Sequence, residues 1–363
     1  MIVSVAYFIL YFLLFLALFW LLLFNRRRYT SHPEYQPRIS ILIAARNEEH
    51  TIIRCLEAIS KLHYPPEKVE VLIGDDASTD ATRGVVEAYI HDRPLYSCIP
   101  VTHTLGKARG KANVLAQLAK LASTDYFFYT DADIAVPPQW VQAMLTELKE
   151  GVGVVTGITT TVGSGVFDRL QTLDWLYALG LMQVVSDLGL PVTAMGNNML
   201  LRRQAYEQVG GFESIDFSIT EDIAIFNKVL AQGWNFRNIY DQDVLALSTP
   251  AGSFAGFLHQ RLRWMRGSMH LPFYMAAIFI LHGAYYPVLL PFFLYTSVGT
   301  ALIILGAKLL LQSIFAAVCL RRLGRSAPWW LYILFELYLV VSSVILIIFF
   351  FLPIKVIWKG RRY

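Results

Sequence analysis

The sequence predicts an α/β domain built on a parallel sheet and set between membrane-spanning helices. Three observations predict it. Apolar residues make up 55% of the 363 residues and charged residues only 16%, against about 25% charge in an ordinary globular chain, so part of the chain lies in lipid. The apolar excess is concentrated at the two ends, leaving residues 25–270 with frequent charges and no run of membrane length. Within that stretch short β-rich runs alternate with helix-period segments, and acidic clusters stand where strands end. The same composition excludes a disordered chain, which would be poor in hydrophobes and rich in charge. It excludes a disulfide scaffold, because Cys55, Cys98 and Cys319 are three and unpatterned. No Cys/His cluster has zinc spacing, and a net charge of +4 lying beside apolar runs is no nucleic-acid footprint.

Residues 2–24 carry no charge and make roughly 34 Å of helix, enough to cross a hydrocarbon core. A cleaved signal peptide has its positive charge before the apolar run and small residues at a cleavage site. Here Arg26-Arg27-Arg28 follow the run and no such site is visible, so the segment reads as an anchor. By the positive-inside rule the amino terminus faces out and the chain after Arg28 starts in the cytoplasm. From Leu271 the chain is apolar again. Residues 271–320 are long enough for two spans with a turn near Tyr295–Thr300, and residues 328–353 make one more, four in all. Arg321, Arg322 and Arg325 then fall inside, as the rule asks. Lys355, Lys359, Arg361 and Arg362 fall outside and break it, unless one span is re-entrant or interfacial. Lys308, Gln312 and Glu336 lie within these spans, where charge is costly and usually paired. A Lys308–Glu336 pair meets that demand; snorkelling of Glu336 to its helix end is the alternative. The expected divisions are 1–24 (anchor), 25–251 (catalytic domain), 252–270 (interfacial helix) and 271–363 (carboxyl-terminal membrane region).

Along the central stretch, Arg38–Ala44 is a short strand followed by a helix over Glu49–Ser60. Val69–Gly74 is a second strand ending at Asp75-Asp76, with a helix over Asp80–Tyr89. Ser97–Val101 is a third, Lys111–Leu121 repeats apolar residues at helical spacing, and Tyr126–Thr130 is a fourth strand ending at Asp131-Ala132-Asp133. Strands alternating with helices imply a parallel sheet covered on both faces, and such sheets bind ligands beyond the carboxyl ends of their strands. Phe167–Leu188 reads as a core helix, with an acceptor path as the alternative. Ser253–Met269 puts Phe254, Phe257, Leu258, Leu262 and Met265 on one stripe beside Arg261, Arg263 and Arg266, an amphipathic helix lying on a bilayer.

Asp131-Ala132-Asp133 offers two carboxylates at i and i+2, a pair able to hold a hard divalent cation and leave room for a diphosphate. Taken singly, it also has the composition of a solvated acidic turn. Asp75-Asp76 and Thr220-Glu221-Asp222 each pass for helix caps, and Gln260–Trp264 for a basic interfacial helix. Gly196, Gly210 and Gly211 read as turn or strand-edge glycines. Gly106-Lys107 and Gly110-Lys111 lack the P-loop pattern.

In this order and spacing, Asp75-Asp76, Asp131-Ala132-Asp133, Thr220-Glu221-Asp222 and Gln260-x-x-Arg263-Trp264 resemble the signature of membrane-bound family 2 glycosyltransferases. That group includes synthases of cellulose, hyaluronan and poly-N-acetylglucosamine, and ceramide glucosyltransferases. Ala45-Arg46-Asn47-Glu48-Glu49 resembles the donor-binding segment of the same family. The resemblance implies a GT-A fold (a Rossmann-like mixed sheet), a UDP-sugar donor, a Mg²⁺ or Mn²⁺ ion and inversion at the anomeric carbon. It implies that Glu48 and Asp76 contact the uracil and ribose, with Asp75 the alternative to Asp76. Asp131 and Lys111 lie by the nucleotide, and Asp133 binds the metal. The same resemblance implies that Asp222 is the general base and that Gln260, Arg263 and Trp264 close over the diphosphate and shape the acceptor site. No third metal ligand is identifiable; Val244–Thr249 contains no histidine, so diphosphate and water complete the shell. Asn197-Asn198 stands near the donor site of that fold, as either a satisfied turn amide or an acceptor contact.

These roles make physical sense. Inverting transfer needs one carboxylate to take the acceptor hydroxyl proton. A cation and an arginine stabilise the charge gathering on the leaving diphosphate, which a planar guanidinium grips in two places. The expected function is inverting transfer from a UDP-sugar to a lipid or lipid-linked acceptor at the cytoplasmic face, in a bacterial inner membrane. The alternative is a processive polysaccharide synthase, for which four spans offer little channel wall without an accessory subunit or a second copy. A non-catalytic scaffold is a remote third reading, opposed by the intact motifs, and a transporter is excluded by the size of the polar domain. Product size separates the first two: one sugar per acceptor, or a ladder.

Overall fold

The uncharged run at the amino end folds as helix α1 (Ile2–Phe24) in the computed structural model, which describes residues 1–25, 36–216, 218, 220–269, 271–352, 357–358 and 361–362. Arg26–Arg28, Lys355 and Lys359 lie outside the described residues. Only Phe8, Tyr11, Phe15, Leu18 and Leu22, one stripe of α1, are buried. A helix apolar all round with a single buried stripe is suited to lipid on its other faces.

The central stretch then runs β1 (Ile39–Ala45), α2 (Ile52–Ser60), β2 (Val69–Asp75), α3 (Thr82–Ile90), β3 (Tyr96–Pro100), α4 (Lys111–Leu121), β4 (Tyr126–Asp131), α5 (Trp140–Glu147), β5 (Val152–Thr156) and β6 (Ile158–Thr161). After α6 (Val166–Asp187) come β7 (Asn198–Arg202), α7 (Arg203–Gln208), α8 (Glu221–Ala231), β8 (Asn235–Asn238), β9 (Leu245–Ser248) and α9 (Phe254–Ser268). Seven strands form one sheet in the order β3-β2-β1-β4-β7-β5-β8, and β6 pairs with β9 in a second, parallel ladder. The alternation of strands and helices implied a parallel sheet. Its first four strands are parallel, but β7 runs antiparallel to both β4 and β5, giving the mixed sheet that the resemblance implied.

Strand β1 reads ISILIAA because both of its faces are covered, as parallel sheets require. Ile41 and Ile43 point into one cluster with Val71, Ile73, Phe128, Trp140 and Met144. Leu42, between them, points into the other with Leu72, Phe127, Tyr129, Val114 and Leu118. Helix α2 buries Ile52, Cys55, Leu56 and Ile59, spacing that puts all four on one face. Helix α4 lies so near the sheet that a Cβ on Gly74 would stand 2.3 Å from Val114 Cγ1.

The chain divides into two compact units. The sheet unit holds these strands with α2–α5 and α7–α9. The helical unit holds α1, α6, α10 (Phe273–Gly283), α11 (Tyr285–Phe293), α12 (Val298–Arg322) and α13 (Trp329–Phe351) as far as Ile347. Among the described residues, four helical stretches are long and apolar enough to cross a membrane: Ile2–Phe24, Phe273–Phe293, Val298–Arg322 and Trp329–Phe351. The third starts after the turn expected near Tyr295–Thr300, with the Ser297 hydroxyl accepting from the Thr300 N–H at 3.1 Å. Helix α6 is core, as its sequence implied, but it is core of the helical unit. A Cβ on Gly180 would stand 2.3 Å from Cys319 Sγ of α12, so a glycine is what admits the close approach.

Lys308 and Glu336, the two charges for which the sequence suggested a pair, do pair. Lys308 Nζ meets Glu336 Oε1, Gln312 Nε2 donates to Glu336 Oε2 at 2.8 Å, and Tyr286 also donates to this carboxylate at 2.5 Å. Both charged side chains are buried, so pairing rather than snorkelling settles Glu336 in place.

Candidate active site

Every residue singled out from the sequence as a site residue lies in the sheet unit, and the loops that follow β1, β2 and β4 carry the first group. After β1 the backbone turns through Asn47 at φ +54°, and after β2 through Ala77 at φ +52°, conformations that L-residues adopt at a cost. The two loops are tied together. Arg46 Nη1 donates to the carbonyls of Asp76 and Ala77, and the Thr79 N–H donates to Asn47 Oδ1 at 2.8 Å. The Glu48 N–H donates to Thr82 Oγ1 at 2.7 Å, and the Glu48 carboxylate accepts from Thr51 Oγ1 at 2.7 Å. Asp75 is buried with its carboxylate accepting from the Ser78 N–H at 3.2 Å. Asp76 is half-buried and the more open of the two.

Strand β4 delivers Asp131 at its end, and α4 begins with Lys111 facing it. Lys111 Nζ lies 2.5 Å from Asp131 Oδ1 and 3.4 Å from Glu221 Oε1. Burial alone would lower the pKa of Lys111, but Asp131 and Glu221, with Asp222 behind them, override it, so the ammonium titrates well above its ordinary value. Burial pushes the Glu221 carboxyl up, against the pull of Lys111. A single lysine thus joins the Asp-x-Asp turn to the Thr-Glu-Asp turn, 110 residues of chain and several elements apart from Glu221. Glu221, which in the sequence passed for a cap, is a half-buried member of the cluster, its side chain 14% exposed.

Asp222 sits in the first turn of α8, where the helix dipole favours a carboxylate. Its Oδ2 accepts from the Gly196 N–H at 2.8 Å and its Oδ1 from the Ile223 N–H at 2.9 Å. A Cβ on Gly196 would stand 2.6 Å from Asp222 Cβ and 2.8 Å from Oδ2. Gly196 therefore does more than end a strand: only a residue without a side chain lets its N–H reach this carboxylate. Gly196→Ala is expected to push Asp222 aside. A displacement of about 1 Å costs roughly 100-fold in rate where a proton acceptor must be aligned. We expect kcat to fall by about that factor while the donor KM holds; steady-state kinetics with the donor varied checks both.

Helix α9 carries Gln260, Arg263 and Trp264, all half-buried. It begins with the Ser253 hydroxyl capping the Gly256 N–H at 3.1 Å. It meets the Thr-Glu-Asp turn at Gly267, where a Cβ would stand 2.4 Å from Thr220 Cγ2. One face of the Trp264 ring, a side chain expected to shape the acceptor site, is covered by a guanidinium. The Arg261 guanidinium lies 4.6 Å from the Trp264 ring centre and 5.3 Å from that of Phe257. Asn198, left open between turn amide and acceptor contact, is a structural amide. It is fully buried, Oδ1 accepts from Trp140 Nε1 at 2.8 Å, and Nδ2 donates to the carbonyls of Ile158 and Val244 at 2.8 Å each.

Among the described residues no three His, Cys, Asp or Glu side chains gather into a metal cage. What the turn offers is hard carboxylate oxygen from Asp131 and Asp133, of which Asp131 is ion-paired to Lys111. That donor chemistry fits Mg²⁺ or Mn²⁺, ions commonly held by one or two carboxylates with phosphate and water filling the remaining positions.

Comparison with known proteins gives four findings. The model of glycosyl transferase family 21 matches residues 5–363. Poly-beta-1,6-N-acetyl-D-glucosamine synthase of Staphylococcus aureus (strain COL) is 29% identical over 233 residues, 63% of this chain and 54% of the synthase. The synthase of the same name from Staphylococcus epidermidis is 28% identical over 251 residues, 67% of this chain and 58% of the synthase. The chain therefore spans about half the length of the curated relatives it matches. A mannosyltransferase from Pyrobaculum calidifontis, solved in complex with GDP-mannose and Mn²⁺, superposes with a TM-score of 0.58 at 19% identity, covering 94% of this chain and 91% of that one. At that identity the likeness is one of fold, and it is the GT-A fold implied by the motifs.

Proposed function

We propose, from the premise that the chain belongs to glycosyl transferase family 21 and is therefore a sugar-transferring enzyme, that it moves a single sugar from a UDP-sugar to a lipid or lipid-linked acceptor, with inversion. The reaction takes place at the cytoplasmic face of a bacterial inner membrane, in which the four apolar helical stretches are seated. The observation that carries this reading is the Lys111 bridge between Asp131 and Glu221, which draws the diphosphate-side turn and the turn bearing Asp222 into one cluster.

Asp222, fixed by two backbone N–H groups, takes the proton from the acceptor hydroxyl as its oxygen attacks the anomeric carbon from the face opposite the leaving group. The bond from that carbon to the diphosphate oxygen breaks, and UDP leaves with the electron pair. Asp133 holds a divalent cation, which when bound supplies charge stabilisation to the leaving diphosphate. Arg263 and Gln260 on α9 grip its oxygens. Glu48 and Asp76 hold the nucleoside, and Asp131 and Lys111 border it. Trp264, backed by Arg261, orients the acceptor.

A processive synthase is the second reading, favoured by the 29% identity to poly-beta-1,6-N-acetyl-D-glucosamine synthase; it would call for an accessory subunit or a second copy to complete a channel. Purified protein given native membrane lipids, Mn²⁺ and a panel of radiolabelled UDP-sugars decides between them. One organic-soluble band supports the lipid acceptor, whereas a high-molecular-weight ladder replaces it with the synthase. Trp264→Ala is expected to raise the acceptor KM by about ten-fold, the scale of one lost aromatic contact of 1–1.5 kcal/mol, with UDP affinity by calorimetry unchanged. A matching loss of UDP affinity would place Trp264 on the donor instead.

A further inference from the structure

Three segments distant in sequence converge on Asp133. Residues Ala135 and Leu247 exchange backbone hydrogen bonds, N–H to carbonyl, at 2.9 Å in each direction. On its other side β9 is held by β6: Thr161 pairs with Ser248, and the Val162 N–H donates to the Ser248 carbonyl at 3.1 Å. From α2, Arg54 Nη2 donates to the carbonyl of Asp133 and to that of Leu247, the latter at 3.2 Å. One guanidinium therefore staples the Asp-x-Asp turn to the end of β9. The side chains that follow from this stapling meet. Ser248 Oγ donates to Asp133 Oδ2 at 3.0 Å, across 115 residues of sequence. The competing acceptor, the Thr249 carbonyl, is farther at 3.4 Å.

A carboxylate on a half-exposed turn can rotate about its Cβ–Cγ bond, and a cation that binds it must stop that rotation. A hydroxyl already bonded to one oxygen stops it beforehand and sets the direction of the lone pairs. Partners of this kind, one shell out from a metal, are typically worth 10- to 100-fold in affinity. The backbone that carries the hydroxyl is fixed, because β9 is hydrogen-bonded on both edges. We propose that Ser248 is a positioning residue for the divalent cation: its hydroxyl presets the Asp133 carboxylate, and Arg54 holds together the two backbone segments that bring them into contact. This rests on the reading above that Asp133 holds the cation. It gives the carboxylate assigned to the cation a set orientation before the ion arrives.

The test is calorimetric titration of UDP into the full-length protein in detergent, without Mn²⁺ and at saturating Mn²⁺; the ratio of the two affinities measures the gain that the metal brings. Ser248→Ala is expected to cut that ratio by about ten-fold, with UDP affinity in the absence of metal unchanged. Ser248→Thr, which keeps the hydroxyl, is expected to restore it. Arg54→Lys, whose single ammonium replaces the planar fork bridging both carbonyls, is expected to reduce the ratio as well. A wild-type ratio in Ser248→Ala, alongside a lost ratio in Asp133→Ala, overturns the role of Ser248 and leaves the cation on Asp133. A wild-type ratio in Asp133→Ala instead overturns the cation assignment, and the role of Ser248 with it. Failure of Ser248→Thr to recover the ratio, or loss of metal-free UDP binding in Ser248→Ala, also overturns it, because the hydroxyl would then not be the agent.

Discussion

Asp222→Asn is expected to lower turnover by a factor of about 10²–10⁴, the usual contribution of a positioned general base, while the UDP-sugar still binds. The amide keeps the size and shape of the carboxylate, so Gly196, whose Cβ would stand only 2.6 Å from Asp222 Cβ, still tolerates it. One of the two N–H bonds now made by Oδ1 and Oδ2 survives on the remaining carbonyl oxygen. What disappears is the capacity to accept a proton at neutral pH. Single-turnover rates with donor and acceptor, set beside calorimetry for UDP, separate chemistry from binding. A variant that turns over at the wild-type rate would show that another group takes the proton. Asp222→Glu is expected to fail as well, since the longer side chain has to enter the space that Gly196 keeps small.

Lys111→Met carries the second largest effect, in stability as well as rate. It leaves Asp131 and Glu221 facing each other, and Asp222 behind them, without the Lys111 ammonium that pairs with the first two. Removing one partner of a buried pair costs about 3–5 kcal/mol; Lys111 is 15% exposed and Asp131 28%, so the lower end, about 3 kcal/mol, is expected for the sheet unit. The pH dependence follows from the raised pKa of Lys111. A group whose folded pKa lies above its unfolded value contributes stability in full below the unfolded value, about 10.4 for lysine, and loses it as pH rises through the folded value. The gap between wild type and variant is therefore full at neutral pH and closes only in strongly alkaline solution. Transfer is expected to drop by roughly 10²-fold, the scale of one lost charge-stabilising group. Urea unfolding followed at pH 7 and at pH 10 tests the first part: a gap that is small at pH 7 would mean that the three carboxylates are screened by water and not by Lys111.

Much of the fold was legible because the signals that carry it are local. The hydropathy of residues 2–24 or 329–351 adds up along the chain, so the four apolar helices follow from composition and length alone. The strands ending at Asp75-Asp76 and Asp131 are legible for a similar reason: VEVLIGD and YFFYTD are short, mostly apolar runs that mark strands buried on both faces. The antiparallel β7 was not legible. Its neighbours β4 and β5 are chosen only after the chain has returned from α6, and NMLLR reads the same in either direction. Nor did the periodicity of α6 say which core it joins, since that depends on Gly180 meeting Cys319.

The site divides in the same way. Sequence spacing alone determined that carboxylates stand at the ends of β2 and β4 and in the first turn of α8, and that α9 carries Gln260, Arg263 and Trp264 on an amphipathic helix. These are facts of short range, read within one element at a time. Tertiary structure alone decided that Lys111 bridges Asp131 and Glu221, that Gly196 and Gly267 are the places where Asp222 and Thr220 need room, that the Asn198 amide is consumed by Trp140 and two carbonyls, and that Ser248 reaches Asp133 from 115 residues away. The physical reason is that periodicity and hydropathy act between near neighbours in the chain, whereas a hydrogen bond or a close approach acts between near neighbours in space, and only the packed sheet makes the two sets of neighbours known to each other.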